Sequence, residues 1–231
     1  MRRFKFRDLE ERTPGSILAL EREEHTHLFK ILRARAGDEV LLMNGAGLTG
    51  MAKVLPGAKL ELLSVCRETE PQRKLSLYIA PPRKQKMDFL LKQMAELGVW
   101  RIVPILCARS VVQPEKDSFP SERWENLLFE GCKQSGNPFL PGIMPPLDFA
   151  EAVSEAGKRC TSCFFGSPRE NELEKRVSAE SIALFVGPEG GFSTEEENAM
   201  MEAGFAPLRI GRWTLRVETA AVAGIALLAE S

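Results

Sequence analysis

From Leu75 to its end, the sequence alternates strand-length apolar runs with stretches of helical periodicity, which leaves few architectures open. LSLYIA (75–80) reads as a strand. Met87, Leu90, Leu91, Met94 and Leu97 then recur at helical spacing, and Gly98 stands where such a helix would end. WRIVPIL (100–106), CFFG (163–166), IALFVG (182–187) and PLRIG (207–211) read as further strands. SERWENLLFEGCKQSG (121–136), STEEENAMMEAG (193–204) and VETAAVAGIALLAE (217–230) read as helices. Two overlapping capping boxes, Ser193 with Glu196 and Thr194 with Glu197, mark the start of the second of these. Strands alternating with helices argue an α/β domain with a largely parallel sheet.

The front of the chain has another texture. RRFKF (2–6), SILAL (16–20), EVLLMNG (39–45), TGMAKVL (49–55) and KLELLSVC (59–66) are short apolar or alternating runs separated by Gly and Pro, the pattern of a small barrel or sandwich. One helix is expected at 22–33. The polar stretch ETEPQRK (68–74), with Pro71, marks a boundary, giving domains 1–72 and 73–231.

The bulk numbers fit such a two-domain protein. The 231 residues are 44% hydrophobic and 27% charged, and the net charge of -1 announces no global basic field for nucleic acid. No run reaches the roughly 18 uninterrupted apolar residues of a membrane span. The basic start, MRRFKFRDLEERT, lacks the apolar core of a secretory signal. Five irregularly spaced cysteines suit a reducing cytosol, so a cytoplasmic location is expected.

FVGPEGGFSTEEE (185–197) is the stretch most suggestive of chemistry: a strand runs into a glycine-rich turn and then an acidic helix start. GPEGG (187–191) lacks the Lys-Ser/Thr ending of a triphosphate loop and the spacing of a dinucleotide fingerprint. What remains is a tight turn, or a loop at the carboxyl end of a strand, where glycines let backbone reach a flat ligand edge. A second strand end follows in IGRWTLRVETAA (210–221), which carries Gly211, Arg212, Arg216, Glu218 and Thr219. Two such ends in succession can line one pocket.

GPEGGFS and LRVETA, together with KMDFLLKQMAELGVWRIVPILCARS (86–110) and EGCKQSG (130–136), resemble the RsmE family of SPOUT-class methyltransferases. HLFKILRARAGDEV (27–40) is similar to that family's PUA-like RNA-binding barrel. The resemblance covers most of the chain. It implies a trefoil-knotted α/β methyltransferase domain behind a small PUA-like β-barrel, and a homodimer. It also implies methylation by S-adenosylmethionine of uracil N3 at uridine 1498 of 16S rRNA, in naked rRNA or in the 30S subunit. By matching motif it implicates Leu184, Val186, Gly187, Glu189, Gly190 and Gly191 from the first loop in binding the methyl donor. Ile210, Gly211, Leu215 and Arg216 come from the second, with Glu218 beside them. The small residues of the closing helix suit the close packing that a threaded chain requires. Trp213 and Asn137 stand where the family usually carries arginine, which keeps two alternatives open: an RNA-binding protein without catalysis, and a methyltransferase of another base or position.

Methyl transfer is an in-line displacement governed by positioning, with the charge on the uracil needing stabilisation as N3 loses its proton. Arg216 suits the charge, and Glu218 or Glu189 suits the proton or the orientation of the arginine. Basic clusters are the candidates for RNA: Arg2, Arg3, Lys5 and Arg7; Lys30, Arg33 and Arg35; and Arg83, Lys84 and Lys86. No metal is expected. Cys160 and Cys163 form a single C-x-x-C with no second pair or nearby His, and His25 and His27 lie two residues apart, which a helix points to different faces. Met87, Met94, Met200 and Met201 read as core packing.

Overall fold

The structure is a computed structural model, which describes residues 1–112, 122–168 and 179–230. Contacts divide the chain into two compact units, Met1–Glu70 with Phe129–Leu140, and Pro71–Leu128 with Pro141–Ser231.

In the first unit, strands β1 (Arg2–Lys5), β2 (Ile17–Leu18), β3 (Glu39–Met43), β4 (Leu48–Leu55) and β5 (Lys59–Arg67) form one sheet in the order β1-β3-β4-β5-β2. β1 runs parallel to β3, while β3, β4, β5 and β2 pair antiparallel. Val40 and Leu42, Ala52 and Val54, and Leu60 and Leu62 share one core with Phe4, Leu9 and Leu28. Their two-residue spacing is what a sheet buried on one face demands. The helix expected at 22–33 is a short α1 (Arg22–His25) that widens into a π-helical turn over Thr26–Ile31.

In the second unit, β6 (Lys74–Ile79), α2 (Lys84–Glu96), β7 (Arg101–Leu106), α3 (Glu122–Ser135, whose residues from Phe129 on belong to the first unit), β8 (Gly142–Ile143), β9 (Leu147–Asp148) and α4 (Phe149–Arg159) follow in turn. β10 (Ser162–Gly166), β11 (Ser181–Val186), α5 (Thr194–Glu202), β12 (Ala206–Leu208) and α6 (Val217–Glu230) complete it. Ser121, the expected first residue of α3, lies outside the described residues. The seven-stranded sheet has the order β12-β10-β11-β6-β7-β8, with β9 beside β7, and every pairing is parallel. The parallel α/β expectation therefore holds. Along β11, Ala183 and Phe185 point into a core shared with Ala152 of α4 and Met200 of α5. Leu184, between them, points to the opposite face, where α6 packs. Helices on both faces explain why these strands read as continuous apolar runs rather than alternating ones.

Further local features depart from the sequence reading, which expects neither β8 nor β9. α4 was not anticipated, although Asp148 and Glu151 stand at capping-box spacing and the Glu151 carboxylate accepts from the Asp148 N–H at 3.2 Å. Of the two overlapping boxes before α5, the Ser193–Glu196 one forms, because Ser193 is the N-cap and Thr194 is already helical. β12 stops at Leu208 rather than Gly211, which frees Arg209–Gly211 to turn over the sheet end.

Candidate active site

The carboxyl ends of β12, β10 and β11 are adjacent, and together they wall a cavity of about 350 Å³. β10 supplies Gly166, Ser167 and Pro168. β11 supplies Val186 through Phe192, and the segment after β12 supplies Leu208 and Ile210 through Leu215. A crevice beyond the strand ends is where open parallel sheets take ligands, and this volume lies within the usual range for small-molecule sites.

Local sequence dictates the shape of the walls. Gly191 has φ +70°, left-handed backbone that side chains rarely adopt, and its N–H donates to the Pro188 carbonyl at 2.8 Å. The turn is thereby closed, and Gly187–Gly191 line the cavity, with the Phe192 ring packed against Gly187 and the Arg109 side chain against Gly190. Beneath it, α6 lies very close to the sheet. A Cβ on Gly224 would meet Leu184 Cδ2 at 2.7 Å and Ile210 Cδ1 at 3.0 Å, so any larger residue would force these side chains to shift. Ile210 consequently stands both on the cavity wall and on α6, and couples the two.

The loop after β7 fastens the glycine turn. Arg109 donates to the carbonyls of Gly190 and Phe192, and the buried Glu196 carboxylate accepts from the Ala108 N–H. These contacts went unrecognised in the sequence, where ARS (108–110) carried only part of a resemblance and Glu196 only a cap. Also missed were Gly166, Ser167 and Pro168; Gly-Ser-Pro directly after an apolar strand is the signal that could have found them.

Of the residues expected to hold a methyl donor, the structure brings Val186, Gly187, Glu189, Gly190, Gly191, Ile210, Gly211 and Leu215 to this one cavity. Leu184 does not line it: it lies two residues back along β11, fully buried under α6. Arg216 is absent from the wall too, although Leu215 and Val217 on either side line it. Arg216 is exposed, and its carbonyl accepts from the Ala220 N–H in the first turn of α6. Glu218 forms an ion pair with Lys86 at 3.2 Å rather than facing the cavity. Burial acts to raise the Glu218 carboxyl, but its own backbone N–H, the Lys86 ammonium and the Arg216 charge outweigh it and hold the group below the usual carboxylate range.

The basic residues divide. Arg3 donates to the carbonyls of Lys133 and Gln134 at 3.0 Å each, and Lys5 lies 5.1 Å from the centre of the Phe129 ring, so both have structural roles within the first unit. Arg2, Lys30, Arg33 and Arg35 are exposed there, as is Arg83 in the second unit. His25 packs on Phe29 and His27 on Phe4. Cys160 and Cys163 border a separate cavity of about 290 Å³, and burial pushes the Cys163 thiol up to about 12. Among the described residues no group of three or more His, Cys, Asp or Glu is placed to hold a metal, and no helix is long and apolar enough to cross a membrane.

Residues 68–229 match the family model described as RNA methyltransferase domain, and residues 20–64 match RNA methyltransferase PUA domain. Ribosomal RNA small subunit methyltransferase E of Aquifex aeolicus (strain VF5) is 31% identical over 226 residues, covering 94% of this chain and 96% of that protein. The protein of the same name from Synechocystis sp. (strain ATCC 27184 / PCC 6803 / Kazusa) is 29% identical, covering 87% and 68%. Among solved structures, ribosomal RNA small subunit methyltransferase E from Neisseria gonorrhoeae, bound to S-adenosyl methionine, matches with a TM-score of 0.84 at 28% identity, covering 100% of this chain and 97% of that one.

Proposed function

The chain belongs to the RNA methyltransferase family that includes ribosomal RNA small subunit methyltransferase E, and we propose that it methylates N3 of uridine 1498 in 16S rRNA from S-adenosylmethionine. The observation that carries this reading is the single cavity built from GPEGG and the 210–215 segment.

The cavity suits the donor. Its glycine edges leave backbone N–H and C=O groups accessible to a flat ring, while Val186, Ile210 and Leu215 supply apolar wall. When bound there, S-adenosylmethionine supplies the electrophilic methyl carbon. The protein's own work is to place uracil N3 in line, take its proton and stabilise the anion that results. Glu189, exposed on the cavity wall, is assigned the proton in this reading. Glu218 is less suited, because a carboxylate held low by Lys86 is a poor base at neutral pH. Its role in this reading is to anchor the start of α6 and so orient Arg216. Arg216 offers a permanent planar cation to uracil O2 or O4. Phosphate contacts are assigned to Arg2, Lys30, Arg33 and Arg35 in the first unit and to Arg83 in the second, while Lys86, expected among them, is paired with Glu218.

We read the parallel sheet with its closing helix as the knotted domain, residues 1–72 as the RNA-binding part, and the working form as a cytoplasmic homodimer. Sedimentation at micromolar concentration tests the last of these, and a monomer mass removes it. The function itself is tested by labelled methyl incorporation into small-subunit particles, with mapping of the modified base. Label at N3 of that uridine is expected. Label at another base redirects the substrate assignment, and RNA binding without label favours a protein that has lost catalysis.

A further inference from the structure

Trp213 lies on the wall of the cavity yet is 74% exposed. Leaving an indole in water forgoes the burial that a large aromatic ring ordinarily contributes to a fold. Arg212, also exposed and also on the wall, holds its guanidinium carbon 5.0 Å from the ring centre. One face of the indole is thus backed by a cation, and at this exposure the other face is open. The two ends of the segment carrying it meet. Gly211 packs so closely under Leu215 that a Cβ there would stand 3.3 Å from Leu215 Cδ1. Trp213 is therefore a plate presented at the mouth of the cavity.

We propose that Trp213, backed by Arg212, is the stacking platform for an unpaired RNA base delivered to this cavity, an inference that rests on the cavity being the methyl-donor site. A base offers N3 to in-line attack only when it is out of its pair, because pairing places a hydrogen bond on that atom. An unpaired base exposes two π-faces, and an aromatic ring with an arginine beside it is the chemistry that takes them: the indole stacks, and the guanidinium meets a phosphate or a base edge. The surroundings disfavour a protein partner. Among the described residues, the other exposed rim side chains are the polar Arg212, Thr214 and Glu189 and the small Pro168, so the indole does not continue into a broad apolar face of the kind two proteins bury.

The test combines fluorescence, binding and kinetics on the full chain. Titration with a single-stranded uridine-containing oligoribonucleotide should quench the emission of the wild type. Because the chain has three tryptophans, the Trp213→Phe variant identifies which one responds, and most of the quench should vanish in it. Trp213→Ala should raise the KM for RNA about tenfold, the scale of one base–aromatic stack, and Trp213→Phe should recover most of that loss. Affinity of either variant for S-adenosylmethionine, measured by calorimetry, should fall far less than the KM for RNA rises. Unchanged RNA affinity and KM in Trp213→Ala overturns the proposal. So does a loss of donor affinity in that variant as large as the rise in KM, which would make the indole a donor contact. A fall to monomer mass in the variant, with no RNA-dependent quench in the wild type, would assign the indole to a contact between copies and overturn it as well. Failure of the wild type to bind S-adenosylmethionine would instead remove the donor-site reading, whatever the quench shows.

Discussion

The guanidinium of Arg109 donates to the carbonyl oxygen of Gly190 at 3.0 Å, across 81 positions of sequence. A second bond reaches the Phe192 carbonyl at 3.2 Å. An otherwise bare glycine turn is thus held in shape from outside. Arg109 is exposed, so Arg109→Ala should fold normally while its affinity for S-adenosylmethionine falls. Arg109→Lys should restore only part, since an ammonium lacks the fork that spans two carbonyls. Calorimetry on the folded variants decides, and unchanged affinity would show that the turn keeps its shape unaided.

Glu196 fastens the same region from within. Its carboxylate accepts from the Ala108 N–H at 2.7 Å and the Ser193 N–H at 2.8 Å, and the residue is only 7% exposed. Glu196→Ala removes two charge-assisted bonds and strands their donors, which should cost about 3 kcal/mol. Urea unfolding measures it; a cost below about 1 kcal/mol would mean that water replaces both bonds.

Gly224 tests the coupling of α6 to the cavity. A side chain there would crowd Leu184 Cδ2 at 2.7 Å, so Leu184 must shift, and would press on Ile210 Cδ1 at 3.0 Å. Gly224→Val should destabilise the protein by about 1–3 kcal/mol through overpacking. Because Ile210 is also cavity wall, donor affinity should fall in parallel. Loss of stability with full donor affinity would show that the wall adjusts independently of the helix.

Arg216 tests the chemical step. If it stabilises charge on the uracil, its contribution belongs to the transition state more than to binding. Arg216→Ala should then slow single-turnover methylation about a hundredfold, the scale of one lost oxyanion-type donor. Donor affinity should change far less. A near wild-type rate would make Arg216 a surface residue that caps α6, and a collapse of donor affinity would make it part of the donor pocket.

The Lys86–Glu218 pair should leave a pH signature. The folded protein holds the Glu218 carboxyl below its ordinary range, so the unfolded chain binds the proton more readily. The stabilisation is then present above the ordinary carboxylate pKa and is lost as pH falls through the lower folded value. Melting temperatures of the wild type and Glu218→Gln should differ at neutral pH and converge in acid. A difference that persists unchanged into acid would assign it to packing rather than charge.

The sequence by itself determined the elements and the ligand-capable turns. Strand-length apolar runs between helical periodicities allow little but a parallel sheet covered on both faces, and period-2 burial in the first unit needs only local pattern. The glycines of 187–191 announced a bare backbone because glycine's conformational freedom is a property of the residue itself. α4 was legible in the same way, since Asp148 and Glu151 stand at its start and Phe149, Ala152, Val153 and Ala156 recur at helical spacing. Everything that depends on distant partners was decided only by the tertiary structure. Strand order put the β10 end between those of β11 and β12 and so added Gly166, Ser167 and Pro168 to the cavity. It also set Arg109 and Glu196 against the glycine turn and drew Glu218 to Lys86 instead of the cavity. No spacing rule encodes these contacts, since each joins residues that chain crossovers, and not sequence proximity, bring within hydrogen-bond reach.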